Sequence, residues 1–264
     1  MRTDIVEHNL YELYGMIAQM GPYPMKESLL FRSFSQPAMI WPDMSFVAEE
    51  VNELSPGAFG ELAQLIREGG WSRTLVLGQR WLSNEVQADL RANGFLPVTQ
   101  WTNMVFSLED GELFEGRPPG ADRSMEVRES PIEIREVKDR VQLSDWLRVV
   151  EKVLFNNKAL PEDIFLKGLE SNIFRLLSVY YGGKTAATAL IFLGDVPGAY
   201  MVATDPEYRR KGLASALMDH ARAMVFAKGY KELALHSTKE GLEFYLSLGF
   251  KAQDKMTLYY SRNK

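Results

Sequence analysis

The spacing of apolar residues predicts a run of strands and helices in the second half of the chain. Residues 132–137 alternate between apolar and polar side chains, which is typical of a half-buried strand. Residues 141–153 carry apolar side chains near helical spacing, and Pro161 stands where the first turn of another helix begins. This half is therefore expected to begin with one strand and two helices.

Beyond residue 170 the pattern predicts a sheet with helices packed on it. Strands are predicted at 173–181, 185–193, 199–204, 233–237 and 256–260, and helices at 212–228 and 240–248. The Gly182-Gly183 pair fits a hairpin turn, and Gly229 fits a helix C-terminus. This order predicts an α/β (α+β) fold with a mixed central sheet flanked by helices.

A segment rich in proline and glycine divides the chain. Residues 116–131 begin with Gly-Arg-Pro-Pro-Gly and have no hydrophobic period, as is typical of a linker. The chain has 264 residues, which is enough for two domains of about 100–150 residues each. We predict domains at 1–115 and 132–264 joined by this linker.

Two glycine landmarks recur at one offset and suggest an internal repeat. Gly94-Phe95 and Gly249-Phe250 each precede a strand-like run, and they lie 155 residues apart. At the same offset, Gly57 and Gly212 each stand where a helix begins after a strand-like segment. We predict that residues 1–115 form a second, degenerate copy of the fold of residues 132–264.

Composition narrows the chemistry that the chain can perform. Hydrophobic residues make up 46% and charged residues 25% of the sequence, as in ordinary globular proteins. The absence of cysteine excludes disulfides, thiolate-held metals and thiol nucleophiles. The three histidines, His8, His220 and His236, match no metal-ligand spacing, so no metal is expected. Neither a signal-peptide core nor a long apolar run is visible, and we expect a cytoplasmic protein without membrane contact.

Charge is distributed unevenly between the two halves. The net charge of −5 weighs against nucleic acid as a partner. Residues 1–115 hold 7 Lys and Arg against 16 Asp and Glu, whereas residues 116–264 hold 23 against 19. The second half is therefore the better host for an anionic ligand.

The segment from Tyr200 to Leu217 carries the features of a phosphate site. A strand ends before Pro206, the basic turn Arg209-Arg210-Lys211 follows, and a helix begins at Gly212. The first amides of a helix have no acceptor within it, and the helix dipole adds positive potential there. Small residues at Gly212 and Ala214 let a bulky anion approach these amides, and Ser215 offers a hydroxyl. A diphosphate is the expected ligand.

Two motifs resemble the GCN5-related N-acetyltransferase (GNAT) superfamily. Arg209-x-x-Gly212-x-Ala214 is similar to the acyl-coenzyme A signature of that family. The stretch 237–250, with an aromatic pair on a helix that ends in Gly249-Phe250, is similar to a later family motif. The resemblance covers residues 132–264 and implies acetyl-CoA as cosubstrate.

The resemblance also implies residue roles. Backbone groups of the strand ending at Thr204 would bind the pantetheine arm, and the following turn and helix start would surround the diphosphate. The implied coenzyme-binding residues are Val202, Ala203, Thr204, Arg209, Arg210, Lys211, Gly212, Leu213, Ala214 and Ser215.

Tyr245 is the implied general acid, because a phenol near pKa 10 can protonate a departing alkyl thiolate. The alternative is a structural tyrosine on a buried helix face beside Phe244. The sequence departs from the family pattern at Thr238, where Asn is common, and at Gly241, where Ala is usual. A general base is not evident: His236 and a water-mediated path both remain open.

In the first half the coenzyme site is expected to be lost. The 155-residue offset places Leu54 at the position of Arg209, Phe59 at that of Ala214 and Leu90 at that of Tyr245. We expect Phe59 to block a diphosphate. The acidic first domain would then be structural, or would line the acceptor pocket and attract a cationic amine.

These observations predict an N-acetyltransferase that moves an acetyl group from acetyl-CoA to a primary amine. The amine, on a small molecule or a peptide, would attack directly in a ternary complex, and an oligomer is compatible with the sequence. The alternative is a non-catalytic acyl-CoA sensor or assembly module with the same fold. An unrelated nucleotide binder would need a glycine-rich loop near the domain start, and the sequence has none there.

Overall fold

A computed structural model of the chain describes residues 5–21, 25–35, 40–108 and 132–262. The helices are α1 (Ile5–Met20), α2 (Ala58–Glu68), α3 (Asn84–Ala92), α4 (Arg140–Leu154), α5 (Glu162–Glu170), α6 (Leu213–Ala227) and α7 (Leu242–Ser247). The strands are β1 (Lys26–Glu27), β2 (Phe31–Phe34), β3 (Met44–Val47), β4 (Thr74–Gly78), β5 (Phe95–Ser107), β6 (Ile132–Glu136), β7 (Phe174–Tyr181), β8 (Lys184–Phe192), β9 (Gly198–Thr204), β10 (Glu232–Ser237) and β11 (Lys251–Ser261). Among these described residues no helix is both long and apolar enough to cross a membrane.

The chain forms two compact units that are not its two sequential halves. The first contains Met1–Met104, His236–Ser247 and Lys251–Lys264, and the second contains Val105–Leu235 and Leu248–Phe250. The expected boundary at 115/132 therefore does not separate these units, because most of the last 29 residues join the first one. The reason is pairing: β11 lies antiparallel to β4 and extends the first unit's sheet. The expected linker, 116–131, lies outside the described residues.

The second unit is a mixed sheet in the order β10-β9-β8-β7-β6, with the end of β5 beside β10. Strands β6 to β9 pair antiparallel, and β9 and β10 pair parallel. Gly182 and Gly183, both at positive φ, form the expected hairpin between β7 and β8. Every residue of β8 except Lys184 is buried, as a central strand covered on both faces requires.

Helices α4, α5 and α6 pack on this sheet through their apolar faces. The Trp146 indole of α4 is fully buried, donates a hydrogen bond to the Leu177 carbonyl at 3.1 Å and contacts the Phe165 ring. A Cβ at Gly168 of α5 would lie 2.0 Å from the Phe174 ring, so only glycine permits this approach of helix to strand.

The order of elements from β1 to β5 is that from β7 to β11: three strands, a helix, a strand, a helix and a strand. The first unit's sheet runs β1-β2-β3-β4-β11-β5, in which β3 and β4 are parallel and the pairs β1–β2, β2–β3 and β4–β11 are antiparallel. Buried aromatic residues of three elements form the centre of its core: Phe31, Phe59 and Phe95. Both units thus have a mixed sheet flanked by helices, which confirms the predicted fold class.

Candidate coenzyme and acyl-transfer site

A β-bulge interrupts β9 in the second unit. Its residues Met201 and Val202 together oppose the single residue Ala189 of β8, and Met201 adopts a positive φ of 49°. The Thr188 hydroxyl donates to the Met201 carbonyl at 3.3 Å, which satisfies the displaced backbone group. A bulge of this kind bends the strand that carries it, which here is β9.

Beyond its first residues, β9 separates from β10. The parallel register covers only Gly198 and Ala199 of β9 within the described chain. The amide of Asp205 donates to Ala186 of β8, and backbone groups of successive strand residues point to alternate edges. Val202 and Thr204 therefore direct their backbone groups away from β8, toward the edge that β10 leaves open. An extended polar ligand can pair with this edge as an additional strand would.

Asp205 fixes the start of the turn that follows β9. Its carboxylate accepts from the Glu207 amide at 3.1 Å and from the Lys152 ammonium of α4 at 2.7 Å. Burial alone would raise the pKa of Asp205, but the hydrogen bonds from Lys152 and Glu207 and the nearby positive charges lower it. The side chain is therefore an anchored carboxylate that ties the turn to α4.

The turn then passes twice through the left-handed region. Arg210 has φ 61° and Gly212 has φ 73°, and Gly212 is the N-cap of α6. The Arg209 side chain donates from Nε to the Thr204 carbonyl at 3.2 Å. Left-handed residues alternating with ordinary ones direct neighbouring amides to one side and form a concave anion site.

The amides of this turn and of the first helical turn have no acceptor in the part of the chain that the structure describes. They belong to residues 210–215, and the first helical bond runs from the Ala216 amide to the Gly212 carbonyl. No side chain caps this helix, and the peptide dipoles add positive potential at its start. Such a helix start favours an anionic ligand.

The side chains around these amides leave the approach open and positively charged. Arg209, Arg210 and Lys211 are exposed, and the Lys211 ammonium lies 5.1 Å from the centre of the Tyr181 ring. Leu213 points into the core, whereas Ala214 and Ser215 are only half-buried. The contribution of Leu213 to the site is therefore its amide alone.

Tyr245 lies on α7, in the first unit. Its side chain is 9% exposed, its ring contacts Phe244, and burial raises its pKa above the ordinary 10.0. A Cβ at Gly241 would lie 3.3 Å from the Tyr245 ring and 3.1 Å from the Ser237 hydroxyl. Glycine in place of the usual alanine therefore makes room for this ring, and the phenol keeps its proton through the neutral range.

The corresponding helix start in the first unit is already occupied. Gly57, at φ 91°, is the N-cap of α2. The Asp89 carboxylate of α3 accepts from the Gly57 amide at 3.0 Å and from the Phe59 amide at 3.3 Å. The expectation that the Phe59 side chain blocks this place is wrong: Phe59 is fully buried between Phe31 and Phe95. The protein's own carboxylate, rather than steric bulk, satisfies these amides.

The predicted residues therefore fall into two groups. All ten predicted coenzyme-binding residues, from Val202 to Ser215, belong to the second unit and lie on one strand–turn–helix segment. Tyr245 and His236 belong to the first unit. Sequence reasoning missed Lys152 and Asp89, because each contacts a residue more than 30 positions away in the sequence.

Comparison with known proteins is consistent with this geometry. Residues 173–252 match the family model described as the acetyltransferase (GNAT) domain, and they contain β9, the turn, α6 and α7. This match confirms the predicted resemblance and supports a general acetyltransferase function. No curated protein matches the chain.

Solved structures extend the likeness to the full length. A GCN5-related N-acetyltransferase from Kribbella flavida is similar with a TM-score of 0.71 and 14% identity, over 100% of this chain and 98% of that one. A GCN5-related N-acetyltransferase from Sphaerobacter thermophilus is similar with a TM-score of 0.62 and 15% identity, over 96% of this chain and 84% of that one. At these identities the likeness establishes the fold of both units.

Proposed function

We propose that this protein is an N-acetyltransferase that moves an acetyl group from acetyl-CoA to a primary amine. The observation that carries the proposal is the set of amides at 210–215, which have no described acceptor and lie beside three exposed basic side chains. Coenzyme A carries a diphosphate, which suits such a helix start, and a pantetheine arm, whose amides suit the open edge of β9. The GNAT match over residues 173–252 supports the same ligand.

Each part of the segment has a task in this proposal. Val202 and Thr204 pair with the pantetheine arm, and the amides from Arg210 to Ser215 bind the diphosphate. The exposed side chains of Arg209 and Lys211 add attraction for its negative charge. Because the coenzyme is held at its pantetheine arm and at its diphosphate, its thioester carbonyl stays in place for an incoming amine. This positioning supplies much of the rate acceleration.

The reaction is direct transfer in a ternary complex. The amine nitrogen bonds to the thioester carbonyl carbon, the carbon–sulfur bond breaks, and the sulfur leaves with the bonding electron pair. The Tyr245 phenol gives its proton to the departing sulfur, and a base takes one proton from the nitrogen. The absence of cysteine in the sequence supports this route over one through a thiol-bound acyl-enzyme.

The acidic first half favours a cationic acceptor. Residues 1–115 carry 16 acidic side chains against 7 basic ones, so their field attracts ammonium groups and repels anions. We therefore propose an amine that is protonated in solution and loses its proton before attack. Small polyamines, amino acids and peptide amino groups all have this property.

An assay of coenzyme A release tests the proposal. Acetyl-CoA is incubated with the protein and a panel of amines, and the released thiol is measured with a chromogenic disulfide. The chain has no cysteine, so the protein itself gives no background. We expect saturable release with at least one amine. Tight coenzyme binding without release for every amine would contradict the enzyme and favour the sensor.

A further inference from the structure

The sheet of the second unit ends in a strand with one open edge. β6 is the last strand of that sheet, and within the described chain it pairs with β7 alone. The Val137 amide, directly after β6, donates to the Leu176 carbonyl of β7 at 2.8 Å. Because backbone groups of successive strand residues point to alternate edges, the odd-numbered residues of β6 also direct theirs to β7. The amides and carbonyls at the open edge are those of Ile132, Ile134 and Glu136.

The exposed face of β6 carries one acidic and one basic side chain. Arg135 donates from Nε to the Glu133 carboxylate at 2.5 Å, so the two charges pair along the strand. The Arg135 guanidinium also lies 4.6 Å from the centre of the Tyr180 ring of β7. About half of each charged side chain is still exposed, 50% for Arg135 and 55% for Glu133. Both charges can therefore turn toward a second molecule at the open edge.

The strand is complementary in charge to a reversed copy of itself. When two β6 strands pair antiparallel about Ile134, this residue lies opposite the partner's Ile134, and Glu133 lies opposite the partner's Arg135. The open-edge groups of each copy then meet those of the other and form hydrogen bonds across the pair. Glu133 and Arg135 occupy the positions between these bonds, where opposed side chains are closest and opposite charges stabilise the pair.

Other registers of the same antiparallel pair are unfavourable. A shift of two residues places Glu133 against the partner's Glu133, or Arg135 against the partner's Arg135, and like charges directly opposite destabilise a sheet. A shift of one residue places open-edge groups opposite groups that already bond to β7. On the other face Glu136 is already paired with Arg175 at 3.2 Å, so it adds no unpaired charge. The charge pattern therefore selects the register centred on Ile134.

The edge of β6 lacks the features that commonly prevent edge-to-edge pairing. Such features are very short edge strands, proline, rows of lysine and bulges. β6 contains neither proline nor lysine, and its register with β7 is regular from Ile132 to Glu136. In the first unit, by contrast, the edge strand β1 consists only of Lys26 and Glu27. β6 is therefore the edge that suits strand addition.

We propose that β6 is a self-association surface, at which two copies of this chain join their second-unit sheets antiparallel about Ile134. Such a contact uses the same surface on both copies, so it closes at two and gives a dimer rather than a filament. A single short strand buries little area, so the dimer dissociates on dilution. This inference does not depend on the proposed function, because no residue of β6 belongs to the coenzyme segment.

Sedimentation velocity over a series of concentrations tests the charge pattern. Arg135→Glu and Glu133→Arg each place like charges opposite each other, and each should raise the dissociation constant of the dimer about tenfold or more. The double variant Glu133→Arg/Arg135→Glu exchanges the two charges and should restore dimerisation. Arg148→Glu, the same charge change at an exposed position of α4, should leave it unchanged. Equal melting temperatures show that the variants are folded.

Mixing the two single variants gives a sharper test. β6 carries two acids in Arg135→Glu and two bases in Glu133→Arg, so each strand repels its own copy and attracts the other. We expect native mass spectrometry, with one variant 15N-labelled, to show the mixed dimer in large excess over both homodimers. A mixture that stays monomeric at concentrations where the wild type is dimeric contradicts the proposed pairing.

Amide hydrogen exchange locates the contact on the chain. In the wild type the Ile134 and Glu136 amides should exchange slowly when the protein is dimeric and rapidly after dilution. Slow exchange in the monomer would mean that another segment of the same chain covers the edge, and it would overturn the proposal. A wild type that is monomeric at every concentration, or a dimer that both single variants leave intact, would overturn it as well.

Discussion

In both units a left-handed glycine begins the corresponding helix, but the first amides of the two helices differ in their hydrogen-bond acceptors. Gly57 and Gly212 both cap their helices in the left-handed conformation, at φ 91° and 73°, and neither helix has a side-chain cap of its own. In the first unit the Asp89 carboxylate accepts from two of these amides. In the second unit the corresponding amides have no acceptor among the described residues.

The contrast shows how one fold can keep or lose an anion site. A helix start needs an acceptor for its amides, and either the chain or a ligand can supply it. In the first unit an internal carboxylate removes the need for a ligand, and no basic turn precedes Gly57. In the second unit three basic residues stand in front of Gly212. We therefore attribute coenzyme binding to the second unit.

The largest effect is expected from giving the second helix start an acid of its own. Ala214→Glu places a carboxylate in the first helical turn, where it favours the helix but repels a diphosphate. We expect the dissociation constant for coenzyme A, measured by calorimetry, to rise about 100-fold or more, with no loss in melting temperature.

The matched variant Ala214→Gln has the same size without the charge and should bind with intermediate affinity. Equal binding by the glutamate and glutamine variants would mean that side-chain size, and not charge, determines coenzyme affinity at position 214.

The next effect concerns Tyr245, whose position in the first-unit repeat is occupied by Leu90. Tyr245→Phe removes the proposed acid while keeping the ring, so kcat should fall by about 10- to 100-fold with KM for acetyl-CoA unchanged. Burial raises the pKa of Tyr245 above 10.0, so the phenol stays protonated and kcat should not decline below pH 10 through this group. A Phe variant with wild-type kcat would leave Tyr245 a structural residue.

A smaller effect on coenzyme binding is expected at Lys152, which ties α4 to the turn between β9 and α6. Lys152→Ala removes the ammonium that bonds to Asp205, and the loosened turn should raise KM for acetyl-CoA about three- to tenfold with little change in kcat. Lys152→Arg keeps the charge and should restore most of the affinity. A change confined to kcat would argue against an anchor for the coenzyme.

The same pair gives a pH dependence of stability. The pKa of Asp205 is lowered in the folded protein, so its contribution is present above its unfolded pKa of about 3.8 and is lost as the pH falls through the folded value. Denaturant unfolding at pH 7 and pH 3 should therefore show a larger difference between wild type and Lys152→Ala at pH 7. An equal difference at both values would contradict this assignment.

The smallest effect on function is expected from Asp89. Asp89→Ala removes the acceptor for the Gly57 and Phe59 amides, which should lower the free energy of unfolding by about 1–2 kcal/mol. Coenzyme affinity and turnover should stay unchanged, because we propose that the coenzyme binds to the second unit. Urea unfolding measures the free energy of unfolding, and the calorimetric titration measures coenzyme affinity. A loss of coenzyme affinity would contradict the proposal that only the second unit binds the coenzyme.

Local signals in the sequence predicted much of the second unit. Alternating apolar residues, the Gly182-Gly183 pair and the glycine after α6 at Gly229 are local signals, and the strands and helices predicted there agree with β6 to β10 and with α4 to α6. The predicted helix at 240–248 agrees with α7 of the first unit. The placement of the last strand could not be predicted, because β11 pairs with β4 about 180 residues earlier. No local pattern specifies which of two similar sheets a strand joins.

In the candidate site, too, the local features could be predicted from the sequence and the distant contacts could not. The basic turn and Gly212 were visible, because a helix start and its ligand chemistry depend on neighbouring residues. The hydrogen-bond partners that complete or occupy a site come from distant parts of the chain: Lys152, a donor, lies 53 residues before Asp205, and Asp89, an acceptor, lies 32 residues after Gly57. For the same reason Phe59 was misinterpreted, since its position suggested a plug and its burial placed it in the core.

Amide NMR during a titration with coenzyme A tests whether the helix start at Gly212, and not the one at Gly57, binds the coenzyme. The 15N-labelled protein reports each amide separately, so the two helix starts can be followed in one sample. We expect signals from Gly212, Leu213 and Ala214 to move on addition of coenzyme A while those of Gly57 and Phe59 stay in place. Unmoved signals at the second helix start, or movement at the first instead, would contradict this expectation.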